Sequence, residues 1–174
     1  MKTQVCLDID RVYLSGPIFS EARQAWHRAV KSRIEEELPL VRVVWPLELL
    51  DPSELNKWGN CAPRRMMEVC RAALDRCELV VALLDGPQVD DGTAWELGYA
   101  YARGIPAIGV CTDFRKACDV PGALVDVMVQ ASCEVIVGSS DELMDELAWR
   151  RRMKGACFET DVAIRENIPR QRDM

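Results

Sequence analysis

The stretch CELVVALLDGPQVDDGTAWELGYAYARGIPAIGV, residues 77–110, contains two short apolar runs separated by a longer segment with helical spacing. The runs ELVVALL (78–84) and IPAIGV (105–110) have the length of buried strands, and a helix is predicted from about Thr93 to Arg103. A strand, a helix and a second strand in this order are typical of a parallel sheet. The stretch therefore predicts an α/β fold.

The same alternation continues through the rest of the chain. Further strands are predicted at 12–15, 41–46 and 133–137, and further helices at 21–38, 63–77 and 140–153. Five strands indicate a flavodoxin-like or Rossmann-like three-layer sandwich with a five-stranded parallel sheet. We expect one domain over residues 1–160, followed by a C-terminal extension over 161–174.

Composition excludes several classes of protein. A net charge of -6 argues against binding to polymeric nucleic acid, because such binders concentrate Lys and Arg. The chain lacks a secretory signal and an apolar run of roughly 20 residues, so we expect a cytoplasmic protein without membrane contact. It has eight cysteines but no CxxC pair and only one histidine, His27, so we expect no metal and no other cofactor.

Three loops follow predicted strands at the edge where ligands bind in open parallel sheets. They are SGPIFS (15–20), DGPQVDDGT (85–93) and the segment 112–122. The first loop leads into a helix, so backbone N–H groups near Gly16 can hold an anionic or hydroxyl-rich group. Alternatively, Gly16 serves only to make the turn.

Carboxylates crowd the second loop and the helix after it, where Asp85, Asp90, Asp91 and Glu96 lie within twelve positions. Carboxylates held together shift one another's pKa, which pairs of an acid and a nucleophile exploit. A second interpretation is structural, because Thr93-x-x-Glu96 has the spacing of a capping box. In the first helical turn, the helix dipole would also keep a glutamate ionised, as a nucleophile must be.

Two stretches resemble the nucleoside 2-deoxyribosyltransferase family, which includes related nucleoside-monophosphate N-glycosidases. VYLSGPIF (12–19) is similar to the family's opening strand and loop, and residues 77–86 with 90–110 are similar to its central signature. The resemblance spans residues 11–140. It implies a flavodoxin-like enzyme in which a glutamate attacks C1′ of the sugar and releases the base. Another base, or water, then takes the sugar.

The resemblance also implies roles for individual residues. Glu96 matches the nucleophile, and Asp90 matches the aspartate that contacts the base and helps to protonate it as it leaves. Tyr13 matches the tyrosine that positions the nucleophile. Phe19 occupies the aromatic position that lies against the base, although a core aromatic at a helix start is an equally good interpretation.

In this family a neighbouring subunit lends a pair of residues that grips the sugar, and Asp126 and Met128 lie where that pair belongs. The resemblance thus implies a homo-oligomer with sites completed across the interface. Two positions depart from the family, since Cys70 replaces an Asp or Asn and Asp126 replaces a neutral donor. The helix that contains Cys70 carries a stripe typical of buried core, formed by Met66, Met67, Cys70, Leu74 and Cys77.

Besides a purely structural partner protein, three functions remain open on the sequence. The chain is a nucleoside deoxyribosyltransferase, a hydrolase of nucleoside 5′-monophosphates, or a module of the same fold that binds a nucleotide without turning it over. A phosphate-binding version would use Ser and Arg near the first loop, where Ser15, Ser20 and Arg23 are available, although a Ser cap and a surface Arg are also common. The expected partner in each case is a small nucleoside or nucleotide.

Overall fold

The computed structural model describes residues 9–49, 51, 53, 57–113 and 121–155, with side chains up to Arg151. In chain order its elements are β1 (Arg11–Ser15), α1 (Glu21–Glu37), β2 (Arg42–Val44), α2 (Pro46–Leu49), a 3-10 turn (Gly59–Cys61), α3 (Ala62–Leu74), β3 (Leu79–Leu83), α4 (Asp91–Arg103), β4 (Ala107–Val110), α5 (Val127–Ser132), β5 (Val135–Val137) and α6 (Ser140–Gly155).

The strands form one sheet in the order β2-β1-β3-β4-β5, and every neighbouring pair is parallel. This confirms the predicted flavodoxin-like α/β fold. The chain first adds β2 on one side of β1 and then places β3 on the other side. The carboxyl ends of β1 and β3 therefore flank the point where the direction of winding reverses, which is where ligands bind in such sheets.

Helices cover both faces of the sheet and give the protein two apolar cores. On one face α1 and α6 contribute side chains such as Ile34 and Leu147. On the other face α3, α4 and α5 contribute Leu74, Leu97 and Val129. A strand covered on both sides has no polar face, which explains why all five residues of β3 are buried.

Successive side chains of β1 alternate between these two cores, as the pleat of a strand requires. Val12 and Leu14 pack in the core on the α1 and α6 side, whereas Tyr13 packs in the core beneath α3 and α4. Ser15 has the same parity as Tyr13 and turns toward the same layer. Two hydroxyl groups are therefore presented from one strand to α4.

Most differences from the predicted elements lie at their ends. The predicted strand 41–46 shortens to β2 because Pro46 begins α2, and the predicted helix 63–77 ends at Leu74. The last helix begins as predicted, and Ser139 Oγ accepts a hydrogen bond from the Glu142 N–H at 3.1 Å. Helices α2 and α5 were not predicted, because segments of four and six residues are too short to show a helical period. None of the described helices is long and apolar enough to cross a bilayer.

Candidate active site

The carboxylate of Glu96 lies between two hydroxyl groups of β1. Tyr13 Oη donates a hydrogen bond to Oε1 at 2.6 Å, and Ser15 Oγ donates one to Oε2 at 2.5 Å. Both donors are fully buried, whereas Glu96 is partly exposed. Each carboxylate oxygen thus has one short hydrogen bond from the sheet, and the side chain is held in a single orientation.

Asp90 and its contacts determine where α4 begins. Its Oδ2 accepts hydrogen bonds from the backbone N–H of Thr93 at 3.1 Å and from Thr93 Oγ1 at 3.2 Å, so Asp90 is the N-cap. Glu96 lies in the second turn and bonds to the strand instead of to the helix start. The capping-box interpretation is therefore wrong, and the dipole contributes little at Glu96 because its effect fades after the first turn.

Burial is the main influence on the ionisation of this site. It raises the pKa of Glu96 above its ordinary value, and the nearby charge of Asp90 raises it further. The hydrogen bonds from Ser15 and Tyr13 lower the pKa of Glu96 and so offset part of that effect. Burial and the charge of Glu96 also raise the pKa of Tyr13, so its phenol stays protonated and remains a donor.

Asp90 leaves one carboxylate oxygen available beside Glu96. Both bonds that cap α4 use Oδ2, and Oδ1 accepts no hydrogen bond from the described residues. Asp90 is close enough to Glu96 for its charge to act on the glutamate. An aspartate in this position can exchange a proton with a group that reacts at Glu96.

The predicted cluster of four carboxylates divides into separate roles. Asp85 turns toward the end of β4, where it accepts hydrogen bonds from the backbone N–H groups of Thr112 at 2.5 Å and Asp113 at 3.0 Å. Asp91 is exposed to solvent. Only Asp90 acts electrostatically on Glu96 among these acids. Asp85 is therefore a structural link between two strand ends, and its place in the cluster was predicted wrongly.

Cys70 belongs to the site even though its helical stripe was predicted to be core. It is half-buried in α3 and lies close to Tyr13 and Glu96. Burial, followed by the charge of Glu96, raises the pKa of the Cys70 thiol, so this position is neutral. The stripe is buried only at its C-terminal end, since Met66 and Met67 are exposed.

Gly16 allows a close approach beneath the first loop. It has a φ of 155°, and a Cβ at this position would lie 2.8 Å from His27 Cε1. His27 is fully buried, and its Nδ1 donates to the Arg23 carbonyl oxygen at 2.8 Å. This packing supports the interpretation of Gly16 as a turn residue, and it fixes the chain immediately after Ser15.

Arg23 lies on the first turn of α1 and reaches toward the loop after β3. Its Nη2 lies 3.5 Å from where a Cβ of Gly86 would be. Arg23 as a whole residue is partly buried, and no Asp or Glu of the described chain forms an ion pair with it. A partly buried cation without a carboxylate partner at a ligand-binding edge favours an anionic ligand.

The chain also matches a family model over residues 12–161, and the family is nucleoside 2-deoxyribosyltransferase. The chain belongs to the nucleoside 2-deoxyribosyltransferase family. The match spans the strands, α3 and α4, so the cluster of Tyr13, Asp90 and Glu96 lies within it. No curated protein sequence matches the chain.

Solved structures share the fold of this family member. A conserved protein from Enterococcus faecalis V583 has a TM-score of 0.66 at 24% identity, covering 82% of this chain and 99% of that chain. The 2-deoxyribosyltransferase from Bacillus psychrosaccharolyticus has a TM-score of 0.61 at 21% identity, covering 76% and 89%. The 2-desoxiribosyltransferase from Leishmania mexicana has a TM-score of 0.59 at 19% identity, covering 80% and 97%. At these identities the similarity concerns the fold.

The remaining candidate residues face solvent. Phe19 is 81% exposed, so its interpretation as a core aromatic is wrong, and Met128 is 77% exposed. Asp126 caps α5 by accepting hydrogen bonds from the backbone N–H groups of Met128 and Val129. No hydrogen bond in the described chain links these residues to Glu96. Most of the third predicted loop, 112–122, lies outside the described residues.

The described residues contain no group of three His, Cys, Asp or Glu side chains that could hold a metal ion. The sequence predicted Ser15 only as a phosphate ligand, and its hydrogen bond to Glu96 was not predicted. The alternation that places Ser15 on the same face as Tyr13 was the available signal.

Replacement of Glu96 by Gln tests the effect of burial on this carboxylate. Because the folded protein raises the pKa of Glu96, the wild type binds an extra proton when folded and loses stability as pH rises through that pKa. Gln does not ionise. The free energy of unfolding of Glu96→Gln, minus that of the wild type, should therefore increase with pH in the acid range and then level off.

Urea unfolding of both proteins, between about pH 4 and pH 8, measures this difference. Asp91→Asn is the matched control, since Asp91 is an exposed acid on the same helix. A difference for Glu96→Gln that decreases as pH rises would contradict a raised pKa of Glu96 in the folded protein.

Proposed function

We propose that the chain cleaves the N-glycosidic bond of a nucleoside or nucleotide, with Glu96 as the nucleophile. The observation that carries the proposal is the carboxylate of Glu96 held at both oxygens by buried hydroxyl groups, beside the charge of Asp90. Membership of a family named for transfer of deoxyribose agrees with this reaction. The acceptor of the sugar is another base or water.

In the first half of the reaction, one oxygen of Glu96 attacks C1′ of the sugar. A C1′–O bond forms while the bond from C1′ to the base nitrogen breaks, and the electron pair of that bond goes to the base. Asp90 donates a proton to the departing base, which makes the base a better leaving group. Tyr13 and Ser15 keep the carboxylate oriented for in-line attack.

In the second half, the acceptor attacks C1′ and displaces Glu96 as a carboxylate. Asp90 takes the proton that water, or the incoming base, loses. The sugar then has the configuration at C1′ that it had at the start, because two displacements have occurred. The same site therefore serves transfer and hydrolysis, and the acceptor that reaches C1′ decides between them.

The binding module of the same fold explains this arrangement less well. Burying an ionisable carboxylate and raising its pKa costs stability, and perturbed carboxylates of this kind cluster at catalytic sites. A module that only binds a nucleoside can use neutral donors instead of a charged pair. The cost is reasonable for an enzyme, because a carboxylate that is poorly solvated is a stronger nucleophile.

Replacement of Glu96 by Ala tests the function directly. The purified chain, incubated with a panel of nucleosides and nucleoside monophosphates, should release free base, and Glu96→Ala should lower the rate by at least about a thousandfold because the nucleophile is lost. Asp90→Asn should lower it by about a hundredfold or more. Chromatography of the free base measures both rates.

Asp91→Asn is again the control and should retain wild-type activity. Base release that survives Glu96→Ala would contradict the mechanism. No release from any substrate, combined with binding of one of them, would favour the binding module.

Arg23 favours a second candidate function, the hydrolysis of nucleoside 5′-monophosphates. Arg23 is a partly buried residue, and its guanidinium has no carboxylate partner in the described chain and lies beside the loop after β3. A 5′-phosphate is the anionic group of a nucleotide that such a cation can bind through charge-assisted hydrogen bonds. Phe19, exposed on the first loop, is available to lie against the base.

Replacement of Arg23 by Met should weaken monophosphate binding by roughly ten- to a hundredfold, the usual contribution of a hydrogen bond to a charged group. Binding of the matching free nucleoside should change little. Calorimetric titration of an inactive Glu96→Gln background measures both affinities.

Arg28→Met is the matched control, because Arg28 is on the same helix but lies over the Trp45 ring at 5.7 Å. An equal loss of affinity for monophosphate and nucleoside in Arg23→Met would exclude a phosphate-specific role.

We also propose that a second subunit completes the site through Asp126 and Met128. Met128 has 77% of its surface exposed, and Val127 and Leu124 beside it are also exposed. Exposed apolar side chains on neighbouring positions are typical of a surface that another protein covers. In a symmetric dimer the same patch of each subunit lies at the interface, so each site receives residues from its partner.

Complementation tests this arrangement. Co-expression of Glu96→Ala with Met128→Asp should restore about a quarter of wild-type activity. Half of the dimers that form are mixed, and each mixed dimer has one intact site out of two. Co-expression of Glu96→Ala with Asp90→Asn should restore none, since both side chains belong to one subunit's site. Full activity in a strictly monomeric sample would contradict the proposal.

A further inference from the structure

Packing alone does not explain the buried hydroxyl group of Ser15. The residue is fully buried at the end of β1 and pairs across the sheet with Ala82, a small apolar residue. Its Oγ forms no hydrogen bond among the described residues other than the one to Glu96. A buried hydroxyl costs free energy unless it is hydrogen-bonded, so the bond to Glu96 offsets the cost of burying the Ser15 hydroxyl.

The two hydroxyl groups at Glu96 act on different oxygens. Tyr13 bonds to Oε1 and Ser15 bonds to Oε2, so attack through either oxygen leaves the other one still bonded. The carboxylate carries its full negative charge only when no sugar is attached. Donors at both oxygens therefore stabilise free Glu96 more than they stabilise the neutral ester of the glycosyl-enzyme.

This difference has opposite effects on the two halves of the reaction. In the first half, the electron pair of Glu96 forms the C1′–O bond and charge leaves the carboxylate, so donors oppose the step. In the second half the C1′–O bond breaks, its electron pair returns to Glu96, and donors favour the step. The acceptor forms the new bond to C1′ and passes its proton to Asp90, so the reaction is balanced.

We propose that Ser15 is a positioning residue that speeds release of the sugar from Glu96 and prevents the glycosyl-enzyme from accumulating. The inference rests on the proposed function, because it requires a covalent intermediate on Glu96. It concerns Ser15 and not Tyr13, since Tyr13 also fills the core between β1 and α3 and its loss would alter packing.

Ser15→Ala tests the inference with two rate constants. Base release in a single turnover reports the first half, and decay of the sugar adduct, followed by intact mass after acid quenching, reports the second. In Ser15→Ala the ratio of the first constant to the second should rise by roughly ten- to a hundredfold, the usual effect of one hydrogen bond to a charged group. Any slowing of base release should be smaller than the slowing of adduct decay.

The pH profile gives a separate signature. Loss of one donor raises the pKa of Glu96, so the acid limb of single-turnover base release should move to higher pH in Ser15→Ala. Ser15→Thr retains the hydroxyl and should restore both the ratio and the acid limb. Ser139→Ala removes a hydroxyl that caps α6, which packs on the opposite face of the sheet from α4. This variant should change neither the ratio nor the acid limb.

Equal slowing of both steps in Ser15→Ala, with no adduct and no shift of the acid limb, would overturn the inference. Failure of Ser15→Thr to differ from Ser15→Ala, with both proteins folded by urea unfolding, would also overturn it. These results leave the proposed function intact as long as the wild type releases base in a Glu96-dependent way. Absence of such release in the wild type would overturn the proposed function and the inference together.

Discussion

A carboxylate held between two hydroxyl groups of a buried strand is the interaction around which this molecule is organised. Glu96 has to enter a region that is largely shielded from water, where an ionised group is unfavourable unless donors compensate it. Tyr13 and Ser15 supply those donors at 2.6 and 2.5 Å. The arrangement requires β1 to lie beside β3, because α4 follows β3 and its Glu96 bonds to hydroxyl groups of β1.

The rest of the fold keeps this contact in place. The alternation of β1 places both hydroxyl groups on the side of α4, and the N-cap at Asp90 determines how far along the helix Glu96 lies. His27 packs beneath Gly16 and fixes the chain just beyond Ser15. These contacts come from different elements, so the orientation of one carboxylate depends on the packing of the whole sheet.

In the proposed function, the surroundings of Glu96 divide into an inner part that controls its charge and an outer part that faces the substrate. Inside, burial raises the pKa of the carboxylate and the hydroxyl groups partly reverse that effect. Outside, Cys70 presents a neutral thiol, whereas Arg23 presents a cation without a carboxylate partner in the described chain. Under the proposed function, the inner residues suit cleavage of a glycosidic bond, and the outer ones would bear on which nucleoside or nucleotide is accepted.

The sequence by itself determined the fold class, the approximate position of every strand and the region of the site, because hydrophobic periodicity and strand-end loops depend on local spacing. The resemblance pointed to Tyr13 as one partner of Glu96, but the sequence did not determine the second partner, Ser15. Thr93 lies three residues from Glu96 and satisfied a capping pattern, whereas Ser15 lies 81 residues away. Only the packing of α4 over β1 decided between them, because spacing along a chain carries no information about which distant hydroxyl is near. For the same reason the four neighbouring acids separated, with Asp85 binding the end of β4 and Asp90 remaining beside Glu96.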